Sequence, residues 1–183
     1  MQTKMFILSL VLLTLSLFFT PISSKTAYCQ LSVQPESGVK GNVLLVQESE
    51  NDPTWIVGNI YGLVPGYHGF HLMQSDNFTQ GCYSAGNHFN PEEHDHGGED
   101  STDRHVGDLG NILADLTGVA RFNYHDKIVT LYGDESVIGL ACVVHEYYDD
   151  LGLGAAPEST INGNTGGRLN CGHIVEGFPY SSS

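Results

Sequence analysis

Four side chains in one stretch carry the clearest chemistry of this chain: His88, His96, His105 and Asp108, at intervals of eight, nine and three residues. Three imidazoles and one carboxylate suit a tetrahedral ion such as zinc, and Gly97, Gly98 and Gly107 let a single loop fold around it. A second group of donors is sparser. His71 stands two residues before Met73, and His145 closes the apolar run 141–144. On neighbouring strands these two imidazoles could face one side and share an ion, although a histidine beside an apolar run is more often a hydrogen-bonded core residue than a ligand. One complete ligand set thus lies beside a partial one.

The elements that must position these groups read as strands. No long stretch of 3.6 periodicity follows residue 24, and 22 glycines punctuate the chain. Short alternating or apolar runs occur at 26–33, 40–47, 54–61, 67–73, 111–115, 119–124, 127–132, 140–145 and 169–175. Turn residues separate them, as at Pro35-Glu36-Ser37-Gly38, Pro65-Gly66, Gly118 and Gly133-Asp134. That rhythm predicts an all-β antiparallel sandwich or barrel. Segments 75–110 and 147–168 break it, being long, polar and glycine-rich. Loops of that length on a compact β scaffold are usually functional, and the first contains the four-residue ligand set.

Residues 1–24 read as a secretory signal peptide. Lys4 supplies the positive start, residues 6–19 are almost wholly apolar, and Pro21-Ile22-Ser23-Ser24 ends the run with a helix breaker and small residues. At roughly 14 residues that run falls short of the ~20 that span a bilayer. Residues 25–183 are then long enough for one domain with its own core, expected outside the cell. The formal charge is −14 and becomes −15 once Lys4 is removed. Such a surface repels nucleic acid and anionic lipid and favours solubility and cation binding, so no nucleic-acid or membrane partner is expected. Asn77-Phe78-Thr79 is a sequon for N-glycosylation, usable on the secretory route.

The four cysteines are too few for a disulfide scaffold, yet an oxidising compartment favours at least one bridge. Cys82 and Cys171 lie in turn-like surroundings, Gln80-Gly81-Cys82 and Asn170-Cys171-Gly172, and are expected to pair. Cys29 and Cys142 lie in alternating or apolar runs and read as buried thiols, with a second bridge between them as the lesser reading. The acidic run Glu92-Glu93-His94-Asp95-His96-Gly97-Gly98-Glu99-Asp100 is either a solvated loop or a secondary site for zinc, copper or calcium built on His94.

Longer motifs carry a family resemblance: Gly69-Phe70-His71, the run from Gly81 to Pro91, Arg104-His105-Val106-Gly107-Asp108-Leu109-Gly110-Asn111, Val143-Val144-His145-Glu146 and the run from Gly163 to Gly172. Over residues 26–175 the chain resembles the copper/zinc superoxide dismutases. The resemblance implies an eight-stranded antiparallel Greek-key β-barrel bearing a metal-binding loop and an electrostatic loop. It assigns His88, His96, His105 and Asp108 to zinc, with His88 bridging to copper. Copper would also take His71 and His145, with Asp149 as the carboxylate linking the two ligand sets, Arg168 positioning superoxide, Cys82 and Cys171 as the disulfide, and His68 as a structural histidine that is no ligand.

The resemblance is incomplete where copper binds. The family uses four histidines, and Met73 stands at the fourth position. A thioether favours Cu(I) far more than Cu(II), so the exchange is expected to leave copper weakly held and dismutation impaired. Leu153 and Ile161 replace the lysines that draw superoxide inward, and Ser75, Asp76 and Glu176 replace residues of the apolar dimer patch, although Ile138 and Gly139 remain. The family-type homodimer is therefore disfavoured. This combination is similar to the secreted superoxide-dismutase-like proteins of invertebrate haemolymph, the cavortin and dominin type. Two functions follow: an extracellular zinc protein engaged in divalent-metal binding or transport, or a working extracellular dismutase that tolerates Met73. A copper chaperone is disfavoured because no separate Cys-x-x-Cys metal-transfer domain is present.

Overall fold

The computed structural model describes residues 24–178. Most of the expected signal peptide, residues 1–23, therefore lies outside the described residues. Eight antiparallel strands close into a barrel in the order β1-β2-β3-β7-β6-β4-β8-β9, where β1 is Lys25–Leu31, β2 Lys40–Gln47, β3 Thr54–Tyr61, β4 Gly66–Met73, β6 Asp108–Ala114, β7 Val119–Asp126, β8 Ala141–His145 and β9 Arg168–Glu176. The short strand β5, Thr79–Cys82, lies outside the barrel. Because β3 pairs with β7 while β4 sits between β6 and β8, the connections form a Greek key, as expected. Closure removes the exposed sheet edges that an open antiparallel sheet would leave.

Alternation along the strands fills the interior. Phe70, Leu72, Leu45, Ile56, Ile60, Ile112 and Ile174 meet there, each almost completely buried. Successive residues of a strand face opposite sides, so Phe70 and Leu72 pointing into the core put His71 and Met73 on the outer face of β4. That outer face is also buried, since the segment from Gln74 to Gly107 folds over it: Leu72 N donates to Gly107 O, Phe89 N to Leu72 O, and Gln74 N to Asn87 O. The irregularity between Gly69 and His71 lets His71 pair with Asp108, which extends β6 three residues ahead of the run at 111–115.

Two readings of the sequence need correction. Segment 127–132 is not a strand, because side chains satisfy its backbone where a strand partner would. Asp126 Oδ1 accepts from Ile128 N and Val129 N, Thr54 Oγ1 donates to Val129 O, and Leu131 N donates to Gln47 Oε1. The polar segment 147–168 also contains one helical turn, Ser159–Asn162, ended by Gly163 in the left-handed region.

Cysteine pairing differs in part as well. Cys82 and Cys171 are joined, and Cys29 and Cys142 form a second disulfide where buried free thiols were expected. The reason is register. Strand β9 runs between β1 and β8, and the inner bridge crosses it at Gly172, whose missing side chain leaves the space: a Cβ there would lie 2.0 Å from Gln30 O and 3.2 Å from Cys29 Sγ. Adjacent residues of β9 are thus clamped on opposite faces, Cys171 to the covering loop and Gly172 over the core bridge. Replacing both Cys29 and Cys142 by alanine should lower the stability of the oxidised protein by about 2–4 kcal/mol in denaturant unfolding, since the bridge closes a long loop. A variant with an unchanged midpoint would show that barrel closure alone fixes this seam.

Candidate metal centre

The centre is built where β4, β6 and β8 leave the barrel beneath its two long loops. His71 comes from β4, Asp108 from the start of β6 and His145 from the end of β8, while His88, His96 and His105 descend from the covering loop. All are buried. Among the described residues, three groups of ligating side chains converge: His88, His96, His105 and Asp108; His71, His88 and His145; and His71, His96 and Asp149. His88 belongs to the first two, so one imidazole lies between two sets of donors.

In the first group three nitrogens point at one oxygen. Asp108 Oδ1 lies 2.7 Å from His88 Nδ1, 2.9 Å from His96 Nδ1 and 3.0 Å from His105 Nδ1. Its other oxygen accepts from the backbone amides of Gly97 and His105, which fixes the carboxylate. These four atoms have the number, type and convergence that a tetrahedral ion requires. Arg104 anchors the loop from below, donating to His105 O and Asp108 O and pairing with Asp126 Oδ2 on β7.

Asp149 joins this group to the next. Its Oδ1 accepts from His96 Nε2 and its Oδ2 from His71 Nε2, each at 2.8 Å. Asn111 exchanges two hydrogen bonds with the Asp149 backbone, and Gly163 gives the carboxylate room, since a Cβ there would meet Asp149 Oδ1 at 2.0 Å. A carboxylate that takes one ring N–H leaves the opposite nitrogen with its lone pair free, the usual arrangement behind a metal-bound histidine. Accordingly His71 Nδ1 is buried without a hydrogen-bond partner, and so is His145 Nε2, whose ring faces Thr165 Oγ1 with its other nitrogen. Buried orphan nitrogens are costly unless an ion takes them, so both donor sets fit metal ions. The second set offers three nitrogens. Met73 is fully buried on the same face as His71, packed with Cys82, Ala85, Ala141, Val143 and Cys171, and its backbone pairs with His88.

Electrostatics favour a cation here. Burial, reinforced by His71, lowers the His88 pKa to about 3, and burial holds His145 well below its ordinary value, so both imidazoles stay neutral. Burial also works against charge on His96, but Asp108 and Asp149 on either side overcome it and raise that pKa to about 9. Despite burial, Asp108 and Asp149 titrate well below the usual carboxylate range because imidazoles donate to them.

The remaining residues fall around this cluster. His68 is no donor to it, because its ring nitrogens engage the His145 and Val64 carbonyls. Arg168 lines a cleft with His88, His145, Ile161 and Thr165. It donates to Cys82 O and Gly86 O and lies over the Tyr83 ring, so the outer disulfide and the guanidinium share one loop. Leu153 and Ile161 are exposed. His94 stands apart at the surface between Asp103 and Glu92, outside the three groups. Asn77 is exposed, its side chain accepting from Thr79 N. Sequence reasoning did not find Asn111 or Thr165, whose Oγ1 lies 3.0 Å from His145 Nδ1. Neither carries a local signal, since each acts through a partner more than 15 residues away.

The comparisons agree with this geometry. The family model described as copper/zinc superoxide dismutase matches residues 39–174. Over 136 residues the chain is 50% identical to superoxide dismutase A (Cu-Zn) of Xenopus laevis, covering 74% of this chain and 89% of that protein. Over 136 residues it is 46% identical to the extracellular superoxide dismutase (Cu-Zn) of Drosophila melanogaster, covering 74% of this chain and 75% of that protein. Among the described residues no helix is long and apolar enough to cross a membrane.

The raised His96 pKa makes a prediction. In the metal-free chain this imidazole stays charged up to about pH 9, so its contribution to stability is full below its ordinary 6.5 and is lost as pH rises through 9. Zinc needs the neutral ring, so binding at pH 7 should expel about one proton from His96, and that release should disappear above pH 10. Calorimetry in buffers of different ionisation enthalpy reads the proton count directly. A count from His96 that does not change with pH would refute the assignment of its charge.

Proposed function

The chain belongs to the copper/zinc superoxide dismutase family, and from that premise we propose that it is a secreted metal-binding member with an intact zinc site and a weakened copper site. Zinc would be held by His88, His96, His105 and Asp108, whose donor atoms converge on one point. Copper would be held by His71 Nδ1, His145 Nε2 and the His88 nitrogen turned away from Asp108. Bound there, copper would supply one-electron redox chemistry toward superoxide.

The observation that carries the reading is Met73. It lies on the face of β4 that presents His71, at the position where the family has its fourth histidine, and it is packed among apolar residues and the outer disulfide. Softness of the thioether selects Cu(I) over Cu(II), whereas dismutation must cycle between them. Delivery is weakened too. Arg168 keeps a guanidinium at the cleft, held by Cys82 and Gly86, but Leu153 and Ile161 add no charge and the chain carries −14 overall. Steering of an anion can change its on-rate by roughly 10- to 1,000-fold. The opposite reading, a working dismutase, draws support from the unpartnered nitrogens of His71 and His145 and from the retained Arg168.

Secretion is supported by the signal-like residues 1–24 and by the extracellular relative. Asn77, exposed and in a sequon, is the glycosylation site of this reading. The role would be divalent-metal binding or transport outside the cell.

Protein reconstituted with excess zinc and copper should retain about one zinc, lose copper to a mild chelator and show little superoxide dismutation. Met73→His should then raise copper retention and activity together. Stoichiometric copper with turnover in the unmodified chain, by elemental mass spectrometry and assay of one sample, would instead establish the enzyme reading.

A monomer, or an assembly other than the family-type homodimer, is also expected. At the surface corresponding to the family's dimer patch His173 lies 3.4 Å from Asp76 and meets the Phe78 ring edge-to-face, and Glu176 adds a charge, so polar groups would have to be desolvated there. Light scattering on dilute protein should give the monomer mass or that of another assembly; a stable dimer through this patch would overturn the expectation.

A further inference from the structure

His145 and Thr165 are both buried, and their side chains are in contact. Thr165 Oγ1 lies 3.0 Å from His145 Nδ1 and 3.3 Å from Asn162 O. A threonine hydroxyl has one proton to give. Donated to the Asn162 carbonyl, it leaves the oxygen as an acceptor, and His145 Nδ1 must then carry the hydrogen. Nε2 keeps its lone pair, has no protein partner, and belongs to the group whose donor atoms lie within 4.8 Å of one another with His71 and His88. The other tautomer would bury an Nε2–H with no acceptor and take the hydroxyl proton away from Asn162, leaving two polar groups unpaired. The backbone of Gly166 also hydrogen-bonds the ring, so the hydroxyl shares this duty.

Thr165 is itself held firmly. Tyr147 N donates to Thr165 O at 3.0 Å, and Gly69 N donates to Tyr147 O at 2.9 Å, which ties this loop residue to β4. Its methyl group packs at Gly69, where a Cβ would come 2.6 Å from Thr165 Cγ2 and 3.2 Å from His71 Cε1. The side chain is therefore wedged between the two strands that supply His71 and His145.

We propose that Thr165 is a positioning residue: its hydroxyl selects the Nδ1–H tautomer of His145, and its methyl, seated on Gly69, aims Nε2 at the nitrogens of His71 and His88. This deepens, and rests on, the reading of that cluster as a copper site.

The test uses the chain loaded with zinc alone, where nitrogen-15 NMR of the His145 ring reports the tautomer without copper. The unsubstituted protein and Thr165→Ser should show a single Nδ1–H form, while Thr165→Val should show a mixture. Thr165→Val should also bind Cu(I) about 10-fold more weakly in chelator competition, with Thr165→Ser restoring affinity. Should the valine variant fail to fold, Thr165→Ala is read in the same way. A wild-type tautomer and Cu(I) affinity in the valine or alanine variant would overturn the proposal and assign the task to Gly166 alone. A tautomer that depends on Thr165 in a chain that takes up no Cu(I) would refute the copper reading while leaving the control of His145 standing.

Discussion

Two carboxylates buried among imidazoles, Asp108 and Asp149, are the constraint on which the centre depends. His71 and His88 stack with ring centroids 4.0 Å apart, and His96, His105 and His145 crowd around them. So many polar rings can be buried only because each has an anion, a backbone group, a hydroxyl or an ion to satisfy it. Asp108 gathers three Nδ1 atoms on one oxygen and Asp149 spans His71 and His96. Their negative charge in turn favours a positive occupant, the proton on His96 or a metal in its place.

Those carboxylates are useful only if two long loops return to the same place. Arg104 ties the covering loop to Asp126 on β7, and Arg168 with the Cys82–Cys171 bridge ties its outer part to β9. Asn111 and Gly163 settle Asp149 from the other side. The closed barrel supplies the rigid floor, with apolar Phe70 and Leu72 facing inward so that His71 and Met73 face the loops. Core packing and donor geometry are thus set by a single alternation along β4.

In the proposed reading, the same scaffold accommodates exchanges beside the group of His71, His88 and His145 without disturbing the group gathered on Asp108. Met73 keeps the packing of a buried residue beneath the disulfide while offering sulfur in place of nitrogen. Leu153 and Ile161 are exposed and tolerated because the loop's hydrogen bonds run through its backbone and through Asp150, Ser159 and Asn162. Side chains at these positions can therefore change on a fold whose stability rests elsewhere.

Much of this was legible in the chain itself. Alternation and turn residues gave the barrel strands, because half-buried strands need a period of two, and donor types at set spacing marked His88, His96, His105 and Asp108 as a group. The sequon and the acidic charge are likewise read directly from the sequence. What the linear order did not contain was register and convergence. Segment 127–132 has the pattern of a strand but no strand to pair with, since Asp126, Thr54 and Gln47 take its backbone groups. Cys29 and Cys142 become partners only because β9 carries Gly172 between them. Thr165 reaches His145, and Asp149 reaches His71 and His96, only after the barrel closes and the loops fold onto it. Sequence determined which chemistry was present; tertiary structure decided which nitrogens stay free for it, because hydrogen-bond partners distant in the chain fix each ring's orientation.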